Sequence, residues 1–216
     1  MKRIIVAFII ILLLPSMKAQ EKKEIAIVTG FEPFANYDIN PSEMVAMQLN
    51  GSYIGNVFVV GVVLPVDYEK AEEILHNLIR KYEPSIILCT GLEYNARKIN
   101  VERIAINLKS IYVDEKWNGI EIINGSAPFI LFSNLPVGKI VNEIKSNDIK
   151  ARQSFFAGTY LCNYVFFIML NYALHRNEDV KVGFIHFPPL KQQAEYGMDI
   201  EEMMKAVEIA IECSSV

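Results

Sequence analysis

The sequence predicts an α/β fold, a three-layer α/β/α sandwich around a twisted, mostly parallel sheet. Short β-branched and apolar runs alternate with stretches of helical periodicity along most of the chain. Two of these runs, residues 24–29 and 57–64, show no alternation of polar and apolar residues, which is typical of strands covered on both faces. The chain has 216 residues, 52% of them hydrophobic, with no repeat and no linker, so we expect one domain with a full core.

The elements follow one another in a regular order. We predict strands at residues 24–29, 57–64, 85–90, 151–156 and 180–186, and helices at residues 42–49, 68–81, 137–146, 162–175 and 200–212. Asp67 is placed to cap the second helix. Another apolar stretch covers residues 102–108. The segment 109–135 is rich in Asn, Gly and Pro, and we predict a strand or hairpin near residues 120–123 within a long loop.

The N-terminus has the pattern of an export signal. Lys2 and Arg3 precede an uncharged apolar run at residues 4–15, and small and polar residues follow it. The run is shorter than the roughly 20 residues that a membrane-spanning helix needs. We therefore expect cleavage near Ala19 and a mature catalytic domain at residues 21–216, with a retained N-terminal anchor as the alternative. A used signal implies a periplasmic or secreted protein.

Charge and cysteine content narrow the classes of function that the chain can have. The formal net charge is −4 and no basic cluster is visible, which argues against nucleic-acid binding. Three cysteines are an odd number for an exported chain, so at least one thiol is left free. Either all three are small core residues, or one is a nucleophile. Cys89, inside an apolar strand, and Cys213, near the end of a helix, are interpreted as structural.

Cys162 is the candidate nucleophile. It lies in the segment SFFAGTYLCNYVFF, where an apolar strand meets a small-residue turn and the cysteine opens a helix. Unpaired amides and the positive end of the helix dipole favour a thiolate there, and the same amides can bind an oxyanion. A core position is the alternative for a cysteine with such apolar neighbours.

His186 ends the apolar strand VGFIH, at the edge where sites form in sheets of this kind. A structural role is the alternative for such a histidine taken alone, and its combination with a helix-opening cysteine makes it the candidate base. His76 lies on a charged helix face and is interpreted as a surface residue, and His175 lies in the last turn of a helix, where it is interpreted as a cap that complements the dipole. Glu102 and Arg103 precede an apolar run, and by themselves they indicate a surface ion pair. Metal-ligand spacings and nucleotide-binding motifs are absent from the sequence, so we expect no metal and no cofactor.

Four blocks of sequence resemble the pyroglutamyl peptidase I family, also called pyrrolidone-carboxylate peptidases. They are TGFEPF followed by NPS, CTG with VERIAINL, AGTYLCN, and GFIHFP, in this order over essentially the whole mature chain. The family's catalytic triad falls on Glu102, Cys162 and His186. The resemblance also implies an α/β/α sandwich, peptides with an N-terminal pyroglutamyl residue as substrates, and a homo-oligomer, because relatives often form tetramers.

The substrate-binding residues are carried over from the same blocks. The resemblance implies that Phe31 and Phe34 sandwich the flat lactam ring, although both could simply pack the first loop onto the core. Asn40 and Tyr160 match further positions near the family's site. Leu92 stands where many relatives have a Gln beside the pocket.

The chain departs from the family pattern in two loops. Residues 91–97 read GLEYNAR where many members have GQAGGR or GLAxGR, and residues 110–114 lack the usual Arg-Ile-Pro-Asp. We expect the first change to affect ring affinity or substrate range. Two alternatives to the peptidase remain: an exported pseudoenzyme or binding protein for blocked N-termini, and a hydrolase of another small amide.

Overall fold

The computed structural model describes residues 24–35, 37–113, 116–176 and 180–215. The predicted signal segment, residues 1–20, lies outside this range. The strands are β1 (Ile25–Phe31), β2 (Tyr53–Ile54), β3 (Val57–Leu64), β4 (Ile86–Leu92), β5 (Ile99–Glu102), β6 (Ile104–Ile106), β7 (Leu108–Val113), β8 (Lys116–Ile122), β9 (Ile130–Phe132), β10 (Ala151–Ser154) and β11 (Lys181–Phe187). The helices are α1 (Pro41–Leu49), α2 (Tyr68–Tyr82), α3 (Val137–Ser146), α4 (Leu161–Leu174) and α5 (Ile200–Ser214).

A central sheet organises the molecule, with strand order β10-β5-β11-β4-β1-β3-β2. Its middle strands β11, β4, β1 and β3 are parallel to one another. On one side β5 runs antiparallel to β11 and is itself parallel to β10, and on the other side β2 pairs antiparallel with β3. The sheet is therefore mostly parallel, and the class predicted from the sequence is confirmed.

Helices cover both faces of this sheet and create two hydrophobic cores. On one face α1, α3 and α5 bury residues such as Val45, Ile140 and Met203 against the sheet. On the other face α2 and α4 form a second core that includes Leu75 and Phe166. Because β1 and β4 are sealed on both sides, their residues can be apolar without alternation.

Side-chain caps fix where several helices begin. The Asp67 carboxylate accepts a hydrogen bond from the Lys70 amide at 3.0 Å and starts α2, as predicted. Asp199 and Glu202 form a capping box at the start of α5.

Two predictions about the middle of the chain were inaccurate. The apolar stretch at residues 102–108 is divided: Glu102 ends β5, and β6 begins at Ile104. The strand predicted near residues 120–123 is the end of β8, which pairs in a hairpin with β7, and β7 lies within the predicted loop. Strand β8 is almost entirely exposed, so it lacks the burial pattern by which sheet strands are recognised in a sequence.

No helix among the described residues combines the length and the apolar character needed to cross a membrane.

Candidate active site

Cys162 is the second residue of α4, which follows a turn at Gly158 with a φ of 81°. A left-handed φ of this size favours glycine, so the small-residue turn in the sequence has a geometric reason. The first amides of a helix have no partner within it, so the Cys162 thiol lies among free N–H donors at the positive end of the helix dipole.

Asn163 anchors this end of α4 to the neighbouring chain. Its Nδ2 donates to the carbonyl oxygens of Ile106 at 2.8 Å and Leu108 at 2.9 Å, and its Oδ1 accepts from the Ile106 amide at 2.9 Å. The side chain is fully buried. Asn163, the residue after Cys162, thus fixes the start of α4 by hydrogen bonding to backbone groups as a neighbouring strand would. The sequence pattern does not indicate this role.

His186 and Glu102 form a buried pair on neighbouring strands. His186 Nδ1 lies 2.9 Å from Glu102 Oε1, and Glu102 is fully buried while His186 is 6% exposed. In the antiparallel register of β5 and β11, Phe184 is opposite Glu102 and His186 is opposite Asn100. The other Glu102 oxygen, Oε2, has no hydrogen-bond partner among the described residues.

The environment of His186 favours its charged form. Burial by itself lowers the pKa of this imidazole, but the negative charge of Cys162, a hydrogen bond to Cys162 and the hydrogen bond and charge of Glu102 together raise the pKa of His186 from 6.5 to about 10. The direction follows because Cys162 and Glu102 both stabilise the positive charge of the ring. Such a ring can hold a proton at neutral pH and pass it on.

A small, mostly apolar cavity of about 30 Å³ opens beside the cysteine. Its lining consists of Phe31, Phe34, Asn40, Val66, Leu92, Tyr160, Leu161 and Cys162. The structure thus brings together, around one cavity and next to Cys162, all five residues predicted to bind substrate. The cavity is much smaller than the roughly 300–1,000 Å³ pockets that bind drug-sized ligands, and its mostly apolar lining suits a small, uncharged group.

Asn40 has a structural role as well as a place in the cavity wall. Its Oδ1 accepts hydrogen bonds from the amide of Ser42 at 3.1 Å and its hydroxyl at 2.7 Å, which caps α1. Its Nδ2 donates to the Glu32 carbonyl at 3.2 Å. An amide NH₂ has two donors, and the described residues provide a partner for one N–H of Asn40, so the other can donate to a ligand.

Gly91 is required for the approach of Cys162 to the sheet. A Cβ atom at this position would lie 2.8 Å from Cys162 Sγ and 3.0 Å from the ring of Phe184. The glycine of the CTG block therefore leaves room for the thiol over β4, next to His186, which is paired with Gly91 in the sheet.

Tyrosines extend the wall of the cavity beyond Cys162. The ring of Tyr160 meets those of Tyr112 at 5.1 Å and Tyr68 at 5.7 Å, both edge to face. Burial, followed by the charges of nearby tyrosines and Cys162, raises the pKa of Tyr68 well above its ordinary value. The Tyr68 phenol therefore remains neutral near the candidate nucleophile.

The remaining cysteines and histidines lie elsewhere. Cys89 is fully buried in β4, where burial raises its pKa to about 12. Cys213 is a half-buried free thiol in α5. His76 contacts Glu72 at 3.4 Å on the surface of α2, and His175 is exposed at the end of α4.

Glu93 is a further acidic residue near the His186–Glu102 pair, and no motif in the sequence indicates it. One side-chain donor atom each of Glu93, Glu102 and His186 lies within 4.8 Å of the others. Asn100 donates a hydrogen bond to Glu93, and Glu102 engages His186. Because these groups are bonded within the protein, we interpret the cluster as a hydrogen-bonded network.

A cysteine at the start of a helix, a buried imidazole–carboxylate pair and an adjoining apolar cavity, held by an α/β/α sandwich, define a cysteine hydrolase. Residues 24–216 match the pyroglutamyl peptidase family, and the chain belongs to this family.

Individual relatives agree with this assignment. The chain is 37% identical to the pyrrolidone-carboxylate peptidase of Halalkalibacterium halodurans over 87% of its length and 98% of that protein. It is 36% identical to the pyrrolidone-carboxylate peptidase of Pyrococcus furiosus, covering 86% of this chain and 97% of the relative. The solved structure of pyrrolidone carboxyl peptidase from Thermococcus litoralis superposes with a TM-score of 0.84 at 34% identity, over 88% of this chain and 93% of that one.

Proposed function

We propose that this protein is a cysteine peptidase that removes an N-terminal pyroglutamyl residue from peptides, with Cys162 as nucleophile, His186 as acid and base, and Glu102 as the residue that orients His186. The observation that carries the proposal is the apolar cavity directly beside Cys162, with the buried His186–Glu102 pair behind it. Membership of the family supports the same reaction.

The reaction proceeds through a thioester. The Cys162 thiolate bonds to the carbonyl carbon that links pyroglutamate to the next residue, and amides at the start of α4 bind the oxyanion. The C–N bond then breaks as the imidazolium gives its proton to the leaving amine. Water attacks the thioester, His186 accepts the water's proton, and the thiolate leaves as pyroglutamate is released.

Glu102 serves this cycle through His186. The hydrogen bond from Nδ1 to Glu102 fixes the tautomer and turns the other ring nitrogen towards the thiol. Because the carboxylate is fully buried, its charge is poorly screened by water and stabilises the imidazolium efficiently.

Specificity for the lactam follows from the composition of the cavity. Its lining is apolar except for Asn40, Tyr160 and Cys162 and includes no carboxylate, so a charged N-terminal amine would lose its hydration without gaining a carboxylate partner. A neutral lactam avoids this cost, and the second N–H of Asn40 can donate to its carbonyl. Phe31 and Phe34 supply the aromatic contacts expected for a flat ring.

Release of aminocoumarin from a pyroglutamyl-aminocoumarin substrate tests the proposal. We expect the wild-type chain to cleave it under reducing conditions and Cys162→Ser to lose at least about 10³-fold in kcat/KM, because the nucleophile is replaced. Cys213→Ser is the matched control and should retain activity. Full activity of Cys162→Ser would refute the assignment, and an inactive wild type that still binds pyroglutamyl peptides would favour a binding protein.

Two features beyond the reaction belong to the same proposal. Residues 1–20 act as an export signal or anchor ahead of one catalytic domain at residues 21–216, supported by the basic and apolar pattern of that segment. Fractionation of cells that express the full chain, with mass determination of its N-terminus, tests this. Copies of the chain also assemble into a homo-oligomer, supported by the exposed apolar side chains on β7, β8 and β9.

A further inference from the structure

A row of directly paired residues crosses the sheet beside the candidate nucleophile. Gly91 of β4 is paired with His186 of β11, His186 with Asn100 of β5, and Asn100 with Arg152 of β10. Directly paired residues project from the same face of a sheet. Since Cys162 Sγ lies over Gly91, this cross-strand row runs from the thiol to the edge of the sheet.

Hydrogen bonds connect the row to the loop after β4. Arg152 Nε donates to Asn100 Oδ1 at 2.7 Å, and Asn100 Nδ2 donates to a Glu93 carboxylate oxygen. The Glu93 amide donates to the Phe187 carbonyl at 2.9 Å, which ties the loop to the end of β11. Asn100 is 1% exposed, so both ends of its amide are used inside the protein.

We propose that Glu93 is a positioning residue for His186, acting as a second carboxylate that favours the imidazolium and is itself held by Asn100 and Arg152. The geometry that carries this is the approach of Glu93, Glu102 and His186 donor atoms to within 4.8 Å of one another. The inference rests on the proposed function, and it adds a residue from the GLEYNAR loop, where this chain departs from the family pattern.

The charges around His186 determine whether a substitution stabilises or destabilises its protonated form. In the described part of the chain, His186 faces Cys162 of α4, Glu102 of β5 and Glu93 of the loop after β4, with Arg152 of β10 behind Asn100. Removing the negative charge of Glu93 makes the imidazolium less stable. Removing the positive charge of Arg152 has the opposite effect.

The chain has three histidines, so the imidazole signals of ¹⁵N-labelled protein can be followed through a pH titration and assigned with His76→Gln and His175→Gln. We expect Glu93→Gln to lower the titration midpoint of His186 by about 0.5 pH unit or more, the shift that a unit charge about 5 Å away produces even in water. Arg152→Gln should raise the midpoint by a smaller amount. Glu93→Asp should restore part of the wild-type value because it keeps the charge.

Glu212→Gln is the matched control, since it removes one carboxylate from the exposed last turn of α5. Its His186 midpoint should equal that of the wild type. A Glu93→Gln midpoint that coincides with the control would overturn the proposal, and so would a downward shift in Arg152→Gln. Arg152 is exposed, so that variant keeps the test decisive even if Glu93→Gln does not fold.

Kinetics supply a second readout. In Glu93→Gln the alkaline limb of kcat/KM should move to lower pH together with the NMR midpoint, while KM changes little. A protein without peptidase activity whose midpoint still responds to both substitutions would contradict the proposed function and leave the role of Glu93 intact.

Discussion

The proton on His186 determines how the site responds to pH. An ordinary histidine is mostly neutral above pH 7, whereas the surroundings of His186 raise its pKa to about 10 and keep it protonated through that range. Below the raised pKa the imidazolium can protonate the leaving amine, and above it that proton is lost. We therefore expect kcat/KM to stay high beyond pH 8 and to fall as pH approaches about 10, measured with the pyroglutamyl substrate in buffers of constant ionic strength.

The titration of His186 also tests its interaction with Cys162. Cys162→Ser removes the thiol whose charge and hydrogen bond raise the pKa of His186, so the titration midpoint of His186 should fall relative to the wild type in the ¹⁵N experiment. Cys213→Ser, which removes a thiol from α5, should leave it unchanged. An unchanged midpoint in Cys162→Ser would mean that the thiol carries no charge that His186 senses.

The residues of the site differ in how clearly the sequence indicates their roles. Cys162 and His186 stood out because one opens a helix and the other ends an apolar strand. Glu102 gave no such signal: its isolated pattern indicated a surface ion pair, whereas it is fully buried against His186. Glu93 and Asn163 were not recognised, because their roles depend on contacts with residues distant in the chain.

Among the elements, the start of α4 depends on one side chain. Asn163 satisfies three backbone groups of the segment from β6 to β7, all inside the protein. Asn163→Ala leaves these groups unpaired and should lower the free energy of unfolding by about 2–4 kcal/mol. Urea denaturation measures this, with exposed Asn147→Ala, which loses one hydrogen bond to Glu143, as the comparison.

If Asn163→Ala and Asn147→Ala unfold at the same urea concentration, the anchoring role assigned to Asn163 is wrong. The pyroglutamyl assay adds a second check, because a displaced helix start would move Cys162 and reduce kcat as well.

Elements with a buried face were predicted well, and exposed ones were not. The bounds of β3 and α3 agree with the predicted ranges, since each has a clear apolar pattern against the core. The hairpin of β7 and β8 stands largely in solvent, and no periodicity marks its strands. Strand β5 was missed ahead of Glu102 because its four residues, two of them polar, are too short to show a pattern.

The molecule as a whole presents many large apolar side chains on one region of the chain. They belong to β7, β8, β9 with the residue before it, and the segment after β10: Tyr112, Trp117, Ile120, Ile122, Phe129, Ile130, Phe132, Phe155 and Phe156. Exposed large apolar side chains are frequent at protein–protein interfaces, which supports the proposed oligomer built on these elements.

Trp117→Glu should weaken that association. Trp117 is 64% exposed, so the substitution does not disturb the core, but it places a charge on the apolar surface. Light scattering coupled to size-exclusion chromatography should show a smaller mass than for the wild type. Met47→Glu, at a residue 63% exposed on α1, is the control and should keep the wild-type mass. Equal masses for all three proteins would rule out association through Trp117.

The order of the strands in the sheet also determines the stage of folding at which the candidate active site can form. Glu102 reaches His186 across 84 residues of chain, and β11 must enter between β4 and β5 before the two side chains meet. Strands β1, β3 and β4 can pair earlier and β5 can pair with β10, but only β11 joins β5 to the rest of the sheet. During synthesis the protein therefore acquires its chemistry only after nearly all of it has left the ribosome, and in refolding, activity should return after most of the secondary structure.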